Sequence, residues 1–313
     1  MVVACAPAVR LHAPAWQAPL GREHPLTGRV WDVGARSFID AGALPPRLAR
    51  ARFVLLGEKH DNPDHHHLQA ALVRALAAGG RRPAVAFEML DTAQAAALAR
   101  HLAASPRDAA GLGEAVGWRE SGWPPWSAYE PIAHAALEAG LPIIAANLPA
   151  AVISAVARGH RAALPASLVA AYALDRPLPG DTQTAMAAEI RDAHCGHANP
   201  AMVANMINAQ RARDALMADA LLTAAADGAI LIAGTGHVRN DWGAPMYIRG
   251  RDPHATIATV VFMEVQPSAT EPEDYAARFS ATSLPFDYVW FTPRMDDDDP
   301  CDAFRRSLER LRR

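Results

Sequence analysis

Lysine is almost absent from this chain. Lys59 is the one lysine among 30 basic residues, and arginine supplies the rest. Charge of one sign is also lacking: 30 basic residues face 33 acidic ones, for a formal net charge of −3 at pH 7. That balance gives no general case for nucleic acid or an anionic membrane surface as a partner. No apolar run reaches the roughly 18 residues that suggest a membrane-crossing helix. Cysteine is scarce, and the three present are too few for a disulfide scaffold and are not spaced as a zinc site. What the sequence does have is apolar mass. Hydrophobic residues make up 51% of 313 and charged residues 20%, enough for one large α/β domain or two ordinary ones.

The chain starts Met1-Val2-Val3-Ala4-Cys5. Val-Val-Ala-Cys resembles the end of a bacterial lipoprotein signal, without the apolar stretch that normally precedes it. Cys5 is therefore either a lipidation site, which puts the protein at the cell envelope, or an incidental residue. In the second case, with this N-terminus as the true one, the protein is cytoplasmic. Cys195 and Cys301 could pair in an oxidising compartment, but the simpler reading leaves them as buried or idle thiols.

Residues 1–28 hold several prolines and no period, and read as a flexible arm. Segments 29–32 and 37–39 suggest a small hairpin. Short apolar runs at 53–56, 84–87, 143–146, 229–233, 257–265 and 288–291 read as strands. Helical spacing occupies 65–78, 91–104 and 129–139, and a Gly-, Trp- and Pro-rich loop occupies 111–127. Strands alternating with helices predict an α/β fold: a mostly parallel sheet flanked by helices. Residues 150–226 read as consecutive helices and predict an inserted all-helical subdomain. The α/β domain then comprises 29–149 plus 227–292, and 293–313 forms a tail with a basic helix at its end.

Ligands in open α/β sheets collect at the C-terminal ends of strands. Four of the predicted strands run directly into polar residues of acid–base type: Gly57-Glu58-Lys59-His60-Asp61-Asn62, then Glu88-Met89, then Asn147, then Gly234-Thr235-Gly236-His237. Glu58, His60, Glu88 and His237 on one rim suit a divalent metal with open positions for water. They equally suit metal-free acid–base hydrolysis. Asp64-His65-His66-His67 falls at a helix start, where the three imidazoles point in different directions. They read as solvated first-turn residues, with at most one or two facing the cleft. His194-Cys195-Gly196-His197 reads as an exposed turn. The loop from Trp118 through Trp123 and Trp126 to Tyr129 either folds down over the sheet or forms an apolar wall for a flat ligand, and Tyr129 could offer a phenolate to ferric iron. Met202, Met206 and Met217 read as core, and Arg211 and Arg213 as solvated ion-pairing residues.

Taken in order, these motifs, together with Tyr129-Glu130-Pro131 and Gln210-x-x-x-Asp214-x-x-Met217, resemble the ChaN family of haem-binding uptake lipoproteins, related to the wider Tiki/TraB and erythromycin-esterase group. The resemblance runs from about Val30 to Phe291. It implies a membrane-anchored homodimer that binds haem for uptake or storage of iron, held between subunits by a tyrosine ligand supported by a histidine; Tyr129, His60 and His237 are the matching positions. It implies lipidation at Cys5. The Tiki and esterase relatives imply the alternative, a metal-dependent protease or esterase using Glu58, His60, Glu88 and His237.

Overall fold

The computed structural model describes residues 15–224, 226–299, 301, 302 and 305. Cys5 and the end of the predicted basic tail helix lie outside them. The strands are β1 (Val30–Asp32), β2 (Ser37–Ile39), β3 (Phe53–Glu58), β4 (Ala84–Asp91), β5 (Ile143–Asn147), β6 (Ala229–Gly234), β7 (Ile257–Glu264) and β8 (Tyr288–Thr292). The helices are α1 (Leu44–Leu48), α2 (Pro63–Ala78), α3 (Ala95–Ala104), α4 (Ala109–Ala115), α5 (Trp126–Glu138), α6 (Ala150–Ala157), α7 (Ala166–Ala171), α8 (Gly180–Ala193), α9 (Pro200–Thr223) and α10 (Ala244–Arg251).

One sheet carries all eight strands in the order β2-β1-β8-β7-β3-β6-β4-β5. From β8 to β5 the pairing is parallel throughout, and the β1–β2 hairpin is joined antiparallel to β8. The central strands are unbroken apolar runs because both of their faces are covered. Phe53, Leu55 and Leu231 enter one core with Ala212, Ala215, Ala218 and Leu221 of α9. Val54, Leu56, Ile230 and Ile232 enter the other with Leu68, Leu72 and Leu76 of α2 and Ile132 of α5.

The segment between β5 and β6 carries α6, α7, α8 and α9 among its described residues. Its longest helix, α9, is also the layer that covers the sheet, so the helical insertion is built onto the main core. Met186, Val203, Ile207 and Trp242 anchor a small separate cluster.

Two expectations need correction. Residues 15–28 do not stand free as an arm but are docked on the domain. The buried carboxylate of Asp64 accepts the backbone N–H groups of Gln17 (2.8 Å) and Ala18 (3.0 Å), Leu20 bridges to Arg294, and Leu26 is buried. A buried carboxylate needs donors, and the arm supplies them. Cys195 and Cys301 are not idle thiols either: they form a disulfide across 106 residues of sequence. Closing so long a loop restricts the unfolded chain and is worth about 5 kcal/mol in the chain-entropy account. Thiol titration of denatured, unreduced protein should therefore find no more than one reactive cysteine. Dithiothreitol should lower the melting temperature by several degrees, a shift that Cys301→Ser should reproduce without reductant.

Candidate functional site

The parallel strands β3, β6, β4 and β5 end side by side, and the chain leaves β3 and β6 toward opposite flanks. That arrangement opens a crevice at their C-terminal ends. Glu58 is the last residue of β3, Glu88 lies in β4, Asn147 ends β5, and His237 sits in the 3-10 turn after β6. Helix α9 contributes Gln210, Arg213 and Asp214, whose spacing of three and four residues places them on one face.

The four predicted strand-end residues do come together, in a row of alternating carboxylates and imidazoles. Glu58 Oε1 lies 2.9 Å from His60 Nδ1. His60 Nε2 lies 3.9 Å from Glu88 Oε1. The same oxygen lies 3.5 Å from His237 Nε2, and His237 Nδ1 lies 2.6 Å from Asp214 Oδ1. Glu88 also forms an ion pair with Arg213, and its Oε2 accepts the N–H of Gly234 at 2.6 Å. Arg213 Nε donates to Asn147 Oδ1 at 3.3 Å. A Cβ at Gly234 would sit 2.8 Å from His60 Nε2, so a larger residue there would displace the imidazole.

The geometry sets the charge states. Burial opposes ionisation of Glu58, but the charge of His66 and the hydrogen bond and charge of His60 outweigh it and hold the carboxyl at about 2. Burial likewise works against Glu88, yet His237 and Arg213 hold it well below the usual carboxylate range. Burial would discharge His237, but Glu88, and then Asp214 against the repulsion of Arg213, raise it to about 8. His60 is also raised, burial being overcome by Glu58 and Glu88.

The divalent-metal expectation does not fit this arrangement. No group of three or more His, Cys, Asp or Glu among the described residues is placed to hold an ion. The physical reason is that the Arg213 guanidinium already sits against the Glu88 carboxylate that a metal would share.

The histidine run is also corrected. His65 and His66 are buried, not solvated. His65 Nδ1 accepts the Lys59 N–H at 2.9 Å while its Nε2 reaches Thr292 Oγ1 at 2.8 Å, and burial drops its pKa to about 3. His66 turns to the crevice, with Nε2 3.4 Å from Glu58 Oε2. His67 donates to Pro63 O at 2.7 Å, outside the site. Arg213 and Asp214 were not assigned roles at the strand ends by sequence reasoning; their helical spacing with Gln210 was the available signal.

Tyr129 packs against the row beside Glu58. It is fully buried and donates to Glu58 Oε1 at 2.7 Å, and its phenol is pushed upward by burial and by the Glu58 charge. A neutral phenol bonded to a carboxylate supports Glu58 and offers no phenolate. The aromatic loop divides in two. Trp118 is buried edge-on against Trp126 and donates to Pro124 O at 2.8 Å. Trp123 is half-buried, with its ring 4.7 Å from that of His60. His60 is the most exposed of the row, at 32% of its side chain. Beside this pair runs a groove of about 770 Å³, walled by Trp118, Trp123 and Trp126 with Arg119 among its lining.

The profile of the family described as haem-binding uptake, Tiki superfamily, ChaN matches residues 44–248, a span that contains the whole row. No curated protein matches the chain. Among solved structures, ChaN of Campylobacter jejuni, described with cofacial haem binding, is similar over 83% of this chain and 95% of its own, at 22% identity and a TM-score of 0.65. The type III effector HopBA1 (13% identity, TM-score 0.43, covering 90% and 100%) and the erythromycin esterase EreC in its open conformation (13%, 0.44, 92% and 100%) are more remote.

Because His237 is raised from 6.5 to about 8 on folding, its contribution to stability is complete below about pH 6.5 and is lost as pH rises through 8. The shift corresponds to roughly 2 kcal/mol. Denaturant unfolding between pH 6 and pH 9 should show wild type losing that increment relative to His237→Gln. Parallel curves would refute the assignment.

Proposed function

Since the chain belongs to the haem-binding uptake, Tiki superfamily, ChaN family, we propose that it binds haem in the tryptophan-walled groove, at the edge marked by Trp123 and His60. The observation that carries this reading is the partly exposed imidazole of His60, 4.7 Å from and tilted against the ring of Trp123, which walls a groove of about 770 Å³. That volume is in the range of small-molecule sites. Haem brings a flat apolar ring, an iron centre and two carboxylates. Trp123 and Trp126 offer the ring flat aromatic surface, Arg119 offers a carboxylate its guanidinium, and His60 places its imidazole against the Trp123 ring at that edge.

The hydrolase reading has less support. At neutral pH His237 carries its proton and His60 is biased the same way, so neither imidazole is a ready base. Each carboxylate of the row is engaged by a histidine or arginine of the same row.

Envelope location, lipidation at Cys5, a homodimer and a role in haem uptake or storage remain part of this proposal. The disulfide supports an oxidising compartment, since such bonds are rare in the cytosol.

Titration with haemin should give a saturable, shifted Soret band. His60→Ala and Trp123→Ala should each weaken binding about tenfold or more, equivalent to roughly 1.4 kcal/mol. Tyr129→Phe should leave affinity near wild type. Loss of binding in Tyr129→Phe alone would return the phenolate to the iron, and no saturation in wild type would overturn the haem reading.

A further inference from the structure

A second pocket, of about 270 Å³, opens on another face of α9, between that helix and the chain from Arg161 to Gln183. It gathers three guanidinium groups, Arg161, Arg176 and Arg211, with the amides of Gln183 and Asn208 and one carboxylate, Asp175. Arg211 is the informative member. It is only 7% exposed, and its one side-chain hydrogen bond among the described residues is a long one of 3.4 Å from Nε to the Tyr247 hydroxyl. It forms no ion pair among the described residues. The nearby carboxylate of Asp214 is given to His237.

A buried guanidinium without a carboxylate is costly, because burial removes the water that would otherwise solvate it. Such a charge is expected to meet an anion. Arg161 is fixed in place by donating to Leu174 O at 2.7 Å, which leaves its remaining donors for the pocket. Arg176 and Asp175 sit at the exposed side, and neither is ion-paired among the described residues. Three positive charges against one negative leave an excess of two, which matches a dianion better than a single carboxylate. Three guanidinium groups and two amides supply donors of the kind that phosphate oxygens accept.

We propose that this pocket is a binding site for a small phosphate-class oxyanion, either inorganic phosphate or the phosphate of a small monoester. The site is separate from the strand-end row and from the aromatic groove, and it does not depend on haem binding. Gln210, Arg213 and Asp214 of α9 face the row, while Asn208 and Arg211 face this pocket.

The test is isothermal titration of the full chain with inorganic phosphate at constant ionic strength, with glycerol phosphate as the monoester arm and citrate and acetate as the carboxylate arms. Saturable one-site binding is expected for phosphate or the monoester, the tighter of the two naming the source. Arg176→Ala, on the exposed side, should weaken it about tenfold or more, as expected for loss of one charge-assisted contact. Arg211→Gln should abolish it. Should Arg211→Gln fail to fold by circular dichroism, Arg161→Ala with Arg176→Ala decides instead. Absence of saturable heat, unchanged affinity in Arg176→Ala, or tighter binding of citrate or acetate than of phosphate would overturn the proposal. None of these results alters the haemin titration, so the two readings fail separately.

Discussion

Everything at the end of the sheet is arranged around one buried negative charge, the carboxylate of Glu88. A charge removed from water must be met by donors at close range. Gly234 supplies a backbone N–H from the neighbouring strand, Arg213 a guanidinium from α9, and His237 an imidazolium from the turn after β6. These partners come from three parts of the chain, so satisfying Glu88 fixes the position of α9 over the strand ends. Asp214 and Asn147 then hold His237 and Arg213 in turn.

The row of alternating charges reaches solvent most at His60, between Glu58 and Glu88. Its interior members neutralise one another, which suits a scaffold that holds a single imidazole at a fixed place and angle. Tyr129 and His66 complete the support from behind Glu58. An imidazole held beside a tryptophan suits the recognition proposed above, whereas a hydrolase needs a base with a free lone pair.

The sheet was legible in the sequence because its strands are covered on both faces and read as short apolar runs. The four strand-end residues were legible because a parallel sheet delivers the ends of its strands to one edge. The partners on α9 were harder to see. Arginines on a helix read as solvated, and only the packing of α9 onto the sheet turns Arg213 and Asp214 inward. The His65–His67 run misled for a related reason. Polar residues in a first turn are normally wet, but here α2 starts beneath β8 and the docked arm, so His65 is sealed against Thr292. The Cys195–Cys301 bond spans 106 residues, a separation at which local pattern carries no information about proximity.

That bond also changes the connectivity of the molecule. Strands β6, β7 and β8, and His237 with them, lie inside a covalently closed ring from residue 195 to residue 301. A single proteolytic cut in that ring leaves one covalent object, whose two pieces part only when the disulfide is reduced. The sheet gets five of its neighbour pairings from strands in this ring: β6 with β3 and β4, β7 with β3 and β8, and β8 with β1. A nicked chain would therefore keep its central strands tethered and able to pair again, and the damage would stay masked until the protein met a reductant.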